Sequence, residues 1–381
     1  MAPYTRRTLP ILILILILIL ILILLPTTTH HLSPISQSPP EPFISFGHPR
    51  YTNVYKTSGA RFNRRNRTLT TPTHRYTISH GNNVNHPGSA ALATSKHITS
   101  RVLELHNIPT PPYVYVHTLA HRKRPMRYTR AEFRALLEPL KDQYPLTLKP
   151  VDGSRGRNIT LNIMSFPQLM RVYARRYHHL NVIIQKHLMG TNYRVLVVNG
   201  VVMEVIRFEK PSVVGDGHHT LQQLVTRHQQ RHRQRHKNPN TMVDWRAIPY
   251  PSTHVPSQQE RITISHNTNN FQNHGTTPTQ VVPIDTIHPN TVAMFLRINR
   301  VMGLTMSGVD CNIIDVNQPC EAMMRVPLLD GMGSDRSGGE VPRQQNGYVL
   351  EVNSNPAMTS HSGGMGGMVV RRLVGEVNAS E

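Results

Sequence analysis

Apolar and polar residues alternate most regularly over 193-YRVLVVNGVVMEVIRF-208, where two runs of period two flank Asn199-Gly200. Alternate side chains of a strand leave on opposite faces, and Asn-Gly readily adopts the left-handed backbone of a two-residue turn, so the stretch predicts a β-hairpin. A second hairpin is predicted over 146-LTLKPVDGSRGRNITLNI-163, with Ile159, Leu161 and Ile163 on one face of its second strand and Asn158, Thr160 and Asn162 on the other. The segment 183-IIQKHLMGTN-192 reads as a strand running out into a connection, and 308-GVDCNIID-315 and 348-YVLEVN-353 read as two more strands. Helical spacing marks 89–107, closed by Pro109. Thr129 and Glu132 form a capping box that opens a second helix, Ser165 caps a third over about 166–178, and Gly303 ends a fourth that follows residue 290. Hairpins mixed with helices, with no internal repeat, indicate α+β lobes rather than a doubly wound parallel sheet.

The pattern divides the chain. Residues 1–26 hold an Ile-Leu run over 11–25 behind Arg6 and Arg7; as a helix it would be about 22 Å long, short of a ~30 Å hydrocarbon core. It suits a signal anchor making membrane contact, or low-complexity sequence with no structural role. Residues 27–88, rich in Pro, Thr, Ser, His and Asn, read as a linker or a reduced N-terminal region. The main domain is expected over 89–375, with a lid lobe at about 144–208 and a tail at 376–381.

Charge adds a class of partner. Lys and Arg outnumber Asp and Glu by 42 to 21, a formal net charge of +21, which favours polyanions, including non-specific binding of nucleic acid. The most basic stretch is 227-RHQQRHRQRHK-237. Its His228, His232 and His236 would share a helical face, as three metal ligands or as part of a solvated basic helix; no acid or Cys accompanies them. The two cysteines, Cys311 and Cys320, cannot form a disulfide framework.

The few acids are the informative residues. Asp310 and Glu351 each sit in an otherwise apolar strand, and Asn353 shares the face of Glu351. Two carboxylates and an amide oxygen on neighbouring strands are what a hard divalent ion bridging phosphates needs; strand-end salt bridges are the plain alternative. Lys149 ends its strand beside a loop of Gly153, Ser154, Arg155, Gly156 and Arg157, whose glycines let backbone N–H groups approach an anion. No G-K-[ST] occurs, so this is not a Walker A loop, and an ordinary surface hairpin is the alternative. Sequons at Asn66, Asn158 and Asn378 matter only in a secreted chain, and a glycan on Asn158 would obstruct the loop.

Taken in order, 94-TSKHITSRVLELHNIPTPP-112, 147-TLKPVDGSRGRNITLNI-163, 211-PSVVGDGHHTLQQLV-225, 308-GVD-310 and 350-LEVNSNP-356 resemble the ATP-grasp superfamily, specifically the ATP-grasp module of cyanophycin synthetase. The resemblance covers about residues 89–375. It implies an ATP-grasp fold, two α+β lobes with ATP held between antiparallel sheets, and an ATP-dependent carboxylate–amine ligase acting through an acyl phosphate. It implies Lys96 and Lys149 on the phosphates under the Gly153, Ser154 and Gly156 loop. Gln185, Lys186 and Leu188 would meet the adenine, and Asn192 the ribose. Asp310, Glu351 and Asn353 would hold Mg²⁺, which Mn²⁺ can replace.

Arg194, Arg207 and Asn267 are candidates for handling the reacting phosphate or carboxylate, and His361 matches a histidine of the family. The implied partners are ATP, a small carboxylate or peptide and an amine or amino acid, in a cytoplasmic domain compatible with a homo-oligomer. Three positions depart from the family: Gln185 stands for Glu, Asn192 for an acid, and 266-HNTN-269 for R-N-x-N. These departures motivate a second reading, a non-catalytic nucleotide-binding descendant.

Overall fold

The computed structural model describes residues 44–79, 83–117, 120–121, 124–125, 128–152, 158–233, 243, 245, 248–265, 278–320, 345–358, 361 and 365–375. The chain divides into residues 1–40 and residues 41–381; everything below belongs to the second unit. The Ile-Leu run, the 153–157 loop, His236, Asn267 and the 376–381 tail lie outside the described residues.

From Ile44 onward the linker expectation gives way to folded chain. A helix (Thr52–Thr57) precedes three antiparallel strands, β1 (Arg61–Asn63), β2 (Thr68–Thr70) and β3 (Arg75–Thr77). Ile44, Phe46, Tyr51, Leu69 and Ile78 pack with Leu196, Val198, Met306 and the helix Met365–Val374 into one apolar core. Strands of three residues never sustain a period-two pattern, which is why composition alone suggested a linker. Asn85, 1% exposed, fastens this segment to the rest. Its Nδ2 donates to the carbonyls of Met306 (2.8 Å) and Ser354 (2.6 Å), and its Oδ1 accepts from the N–H groups of Thr305 (2.7 Å) and Met306 (2.9 Å).

The predicted 89–107 helix is two helices, Pro87–Thr94 and Lys96–Leu105. Ser95 between them is extended, and its hydroxyl accepts from the Ile98 N–H to cap the second helix. Lys96 is thereby the first residue of a helix rather than part of its middle.

Then come β4 (Tyr113–Val116), a short ladder of β5 (Ala120–His121) and β6 (Arg124–Pro125), β7 (Leu146–Pro150), β8 (Thr160–Ile163) and β9 (Val182–Lys186). Four of them form an antiparallel sheet in the order β4-β9-β7-β8. Val114, Leu146, Leu148 and Ile184 face a core that holds Phe133, Leu169 and Tyr177. The helices over that face start as predicted, with the full capping box at Thr129–Glu132 and the Ser165 cap. The expected alternation of β8 fails: Thr160 pairs with Leu148 and Ile163 with Leu146, across an irregularity at which Asn162 is left-handed (φ 54). Thr160 is therefore turned to Tyr177, whose hydroxyl lies 2.9 Å from its Oγ1 and donates to the Asn158 carbonyl.

The other sheet has five antiparallel strands in the order β14-β11-β10-β15-β16, with β10 (Thr191–Val198), β11 (Val201–Phe208), β14 (Thr279–Val282), β15 (Met306–Ile313) and β16 (Gly347–Asn353). Asn199 (φ 48) and Gly200 (φ 74) make the predicted turn. One face packs Tyr193, Val195, Val309 and Cys311 against the helix Pro289–Val301, which ends at Gly303 as expected. The opposite face is covered at one end by the 44–79 core and carries the polar residues at the other.

Between β11 and β14, β12 (Ser212–Val214), β13 (Arg261–Thr263) and the helix Leu221–Arg233 surround a small separate core. The 211–225 motif here is a turn and a helix cap. Asp216 accepts from the N–H groups of His218 and His219 and from the His219 ring, bonds that hold its carboxyl well below the usual range.

Candidate active site

Register brings the acids together. Arg194 on β10 lies opposite Asp310 on β15, and Asp310 lies opposite Glu351 on β16, so the three form a row across one face. Asn353 follows Glu351 on the same face, as its spacing predicts. Two rungs along, Asn192 and Asn312 are partners, and the Asn312 amide donates to the Asn192 side chain (2.7 Å) and the Gly190 carbonyl (2.9 Å).

The row is tightly paired. Arg194 grips Asp310 with two bonds, Nε to Oδ1 at 2.7 Å and Nη2 to Oδ2 at 2.8 Å, and Asn353 Nδ2 reaches Oδ2 at 3.3 Å. Burial opposes the Arg194 charge, but Asp310 outweighs it and holds the guanidinium above its usual range. The Arg194 Cζ also lies 5.8 Å from the Phe208 ring centre.

Two lysines enter from other elements. Lys96, at the start of its helix, places Nζ 3.3 Å from Glu351 Oε2. Lys149 reaches over from β7 to the Leu350 carbonyl at 3.3 Å. That carbonyl is available because β16 bulges: Asp310 pairs with Glu351 and Cys311 with Val349, leaving Leu350 as the extra residue. Burial lowers the Lys149 ammonium to about 8, with Glu351 and Asp310 opposing and Lys96 reinforcing the shift. Glu351 is driven up by burial but brought below its usual range by Lys96, Lys149 and Arg194. Burying five ionisable groups costs stability unless each is paired, and a fold has no need to collect them for its own sake.

The connector links the two sheets. Gln185, buried, sits between Tyr113 and Thr147, and its row neighbour Ile183 lies beside Lys149, so these side chains share the face of the four-stranded sheet turned away from its helices. Lys186 and His187 are tied by their N–H groups to the Pro112 and Pro145 carbonyls, then Leu188 leads to Gly190. A Cβ on Gly190 would stand 2.6 Å from Asn312 Oδ1 and 2.8 Å from the Ile313 backbone, so only glycine fits the crossing.

Of the residues expected at the site, Lys96, Lys149, Arg194, Asp310, Glu351 and Asn353 converge, with Gln185, Lys186, Leu188 and Asn192 along the adjoining connector. Arg207 does not join them. It pairs with Tyr193 and is exposed on the opposite face, because a bulge between Leu196 and Val197 shifts the hairpin by one residue. Gly153, Ser154, Gly156 and Asn267 lie outside the described residues. Asn312, two residues beyond Asp310 and so on its face, is the addition that period-two spacing could have supplied.

Among the described residues no three His, Cys, Asp or Glu side chains gather as a metal cluster, and no helix is long and apolar enough to cross a membrane. Two carboxylates and an amide are the donor types a hard cation takes, although here Arg194 is held against Asp310 and Asn353 turns its Nδ2 toward the same carboxylate.

Biosynthetic proteins of two kinds are similar to this chain in sequence. It is similar to the cyanophycin synthetase of Trichormus variabilis, 25% identical over 278 residues, which is 71% of this chain and 27% of that protein. It is also similar to the glutathione biosynthesis bifunctional protein GshAB of Mannheimia succiniciproducens, 22% identical over 74% of this chain and 35% of that protein. The chain thus spans about a quarter of the length of the cyanophycin synthetases it matches, and the resemblance read from its motifs is borne out. A bifunctional glutathione synthetase structure from Pasteurella multocida superposes loosely, with TM-score 0.48 and 17% identity over 81% of this chain and 40% of that one. No family model matches.

Proposed function

We propose that the chain is an ATP-dependent carboxylate–amine ligase that forms an amide or peptide bond. The observation that carries this reading is the convergence of Lys96, Lys149 and Arg194 on Asp310, Glu351 and Asn353, from three separate elements. Phosphoryl transfer needs in-line positioning and neutralised charge rather than a protein nucleophile, and a wall of cations facing carboxylates provides both.

ATP would lie between the four-stranded and five-stranded sheets, its base along Gln185–Leu188, its ribose near Asn192 and its phosphates toward Lys96 and Lys149. Asp310, Glu351 and Asn353 would hold Mg²⁺, which supplies charge neutralisation when bound. A substrate carboxylate oxygen attacks the γ-phosphorus and ADP leaves. Lys149 and Arg194 steady the acyl phosphate. An amine nitrogen then attacks the acyl carbon, loses a proton and expels inorganic phosphate. Both substrates follow from this reading, as does an ATP-containing, cytoplasmic setting.

The test is acceptor-stimulated phosphate release by the full chain with Mg-ATP and panels of amino acids and short peptides. Release that depends on both a carboxylate and an amine is expected. ATP binding without release under every acceptor would instead favour a nucleotide-binding descendant, the reading suggested by Gln185 and Asn192.

A further inference from the structure

Resting on the reading of Asp310 as a metal ligand, we propose that Arg194 is the resting occupant of the cation site and competes with the divalent ion for that carboxylate. The ion would then enter only in company with an anion that takes over Arg194.

The geometry carries this. Arg194 uses two N–H groups on the two oxygens of Asp310, at 2.7 and 2.8 Å, and Asn353 adds a third donor to Oδ2 at 3.3 Å. Asn353 also points the same nitrogen at the Gly308 carbonyl (3.4 Å), so it presents a donor where a metal needs an oxygen. Three of the roughly four lone-pair sites of the carboxylate are thus taken, and a Mg²⁺ ion, which needs its oxygens at roughly 2.0–2.1 Å, would find one left on Oδ1, beside the guanidinium charge.

Charge points the same way. Around the row stand three cations, Lys96, Lys149 and Arg194, against the two carboxylates they reach, Asp310 and Glu351, while the next carboxylate on that face, Glu204, is paired with His361. A bare divalent ion meets no negative excess and would strand Arg194, whose side chain is 16% exposed, whose partner Ile206 and further neighbour Phe208 on β11 are apolar, and whose one acidic neighbour there, Glu204, is already held by the His361 ring at 2.7 Å. Phosphate oxygens arriving with the ion supply both the missing charge and a new partner for the guanidinium. Metal and nucleotide should then bind with strong positive coupling, which linkage makes reciprocal.

The experiment titrates the full chain with Mn²⁺ and follows free ion by electron paramagnetic resonance, alone and with a non-hydrolysable ATP analogue. For the wild type, weak binding of Mn²⁺ alone and at least about tenfold tightening by the analogue are expected. Arg194→Gln should bind Mn²⁺ alone at least about tenfold more tightly and lose most of the coupling, and adding Asp310→Asn should erase the gain. Arg194→Lys, which cannot fork across both oxygens, should fall between. Should Arg194→Gln not fold, the wild-type coupling and Arg194→Lys carry the test.

Equal affinity for bare Mn²⁺ in wild type and Arg194→Gln, with the Mn²⁺–analogue complex still bound, would overturn the inference and leave the ligase reading standing. An absence of coupling in the wild type would do the same. Failure of every variant to bind Mn²⁺ even with the analogue would remove the metal site itself, and the inference with it.

Discussion

One face of the five-stranded sheet is two environments a few residues apart. Leu196, Val198 and Met306 lie under the 44–79 segment in an ordinary apolar core, whereas Arg194, Asp310, Glu351 and Asn353 continue the same strands as a packed ionic row. The first half repays burial through area removed from water; the second requires each charge to be matched by another. The difference teaches that the sheet is a scaffold at one end and a site at the other, and that the two ends should fail differently when altered.

The largest expected effect is on the ionic half. Glu351→Gln should lower acceptor-stimulated phosphate release by on the order of 10²–10³-fold while leaving far-UV circular dichroism and the folded state intact. Wild-type turnover in that variant would remove the row from the chemistry. The apolar half should respond in the opposite currency: Leu196→Ala, fully buried in wild type, should cost about 2–5 kcal/mol in urea denaturation with little change in nucleotide Kd at temperatures where it stays folded. A large Kd change there would dissolve the distinction between the halves.

Smaller effects sharpen it. Gly190→Ala pushes a Cβ into Asn312 and the Ile313 backbone, so about 1–3 kcal/mol of stability should be lost together with a weaker nucleotide Kd, because the connector must shift. A stability loss with an unmoved Kd would separate the connector from the site. Finally, Lys149 is charged below about 8 in the free protein and loses its proton above it. Bound phosphates favour the charged form, so binding takes up a proton at higher pH and affinity should fall, by up to about tenfold per pH unit, as pH rises past 8. Calorimetry in buffers of different ionisation enthalpy reads that uptake directly; a flat profile would mean Lys149 does not meet the phosphates.

Much of the local structure was legible in the sequence because its causes are local. The Asn199-Gly200 turn, the Thr129–Glu132 box, the Ser165 cap and the shared face of Glu351 and Asn353 each depend on residues within a few positions of one another. The misread parts depend on irregularities or distant partners. A regular two-residue hairpin would pair Arg207 with Asn192 and put it on the site face; one bulge in β11 sends it to the other side. A second bulge, in β16, frees the Leu350 carbonyl for Lys149. The Arg194–Asp310 grip joins residues 116 positions apart, and no spacing rule reaches that far. The 44–79 fold stayed hidden because its strands are three residues long and its core partners lie in β10, β15 and the helix Met365–Val374.

Asn85 has a practical consequence for anyone expressing this domain. Its four bonds couple the N-terminal segment to Thr305, Met306 and Ser354, where β15 begins and just past the end of β16. A fragment cut at the start of the sequence resemblance, near residue 89, would discard that residue and uncover the apolar wall formed by Leu196, Val198 and Met306. Such a fragment should be insoluble or inert for reasons unrelated to catalysis, whereas one beginning at Glu41 keeps the described unit whole.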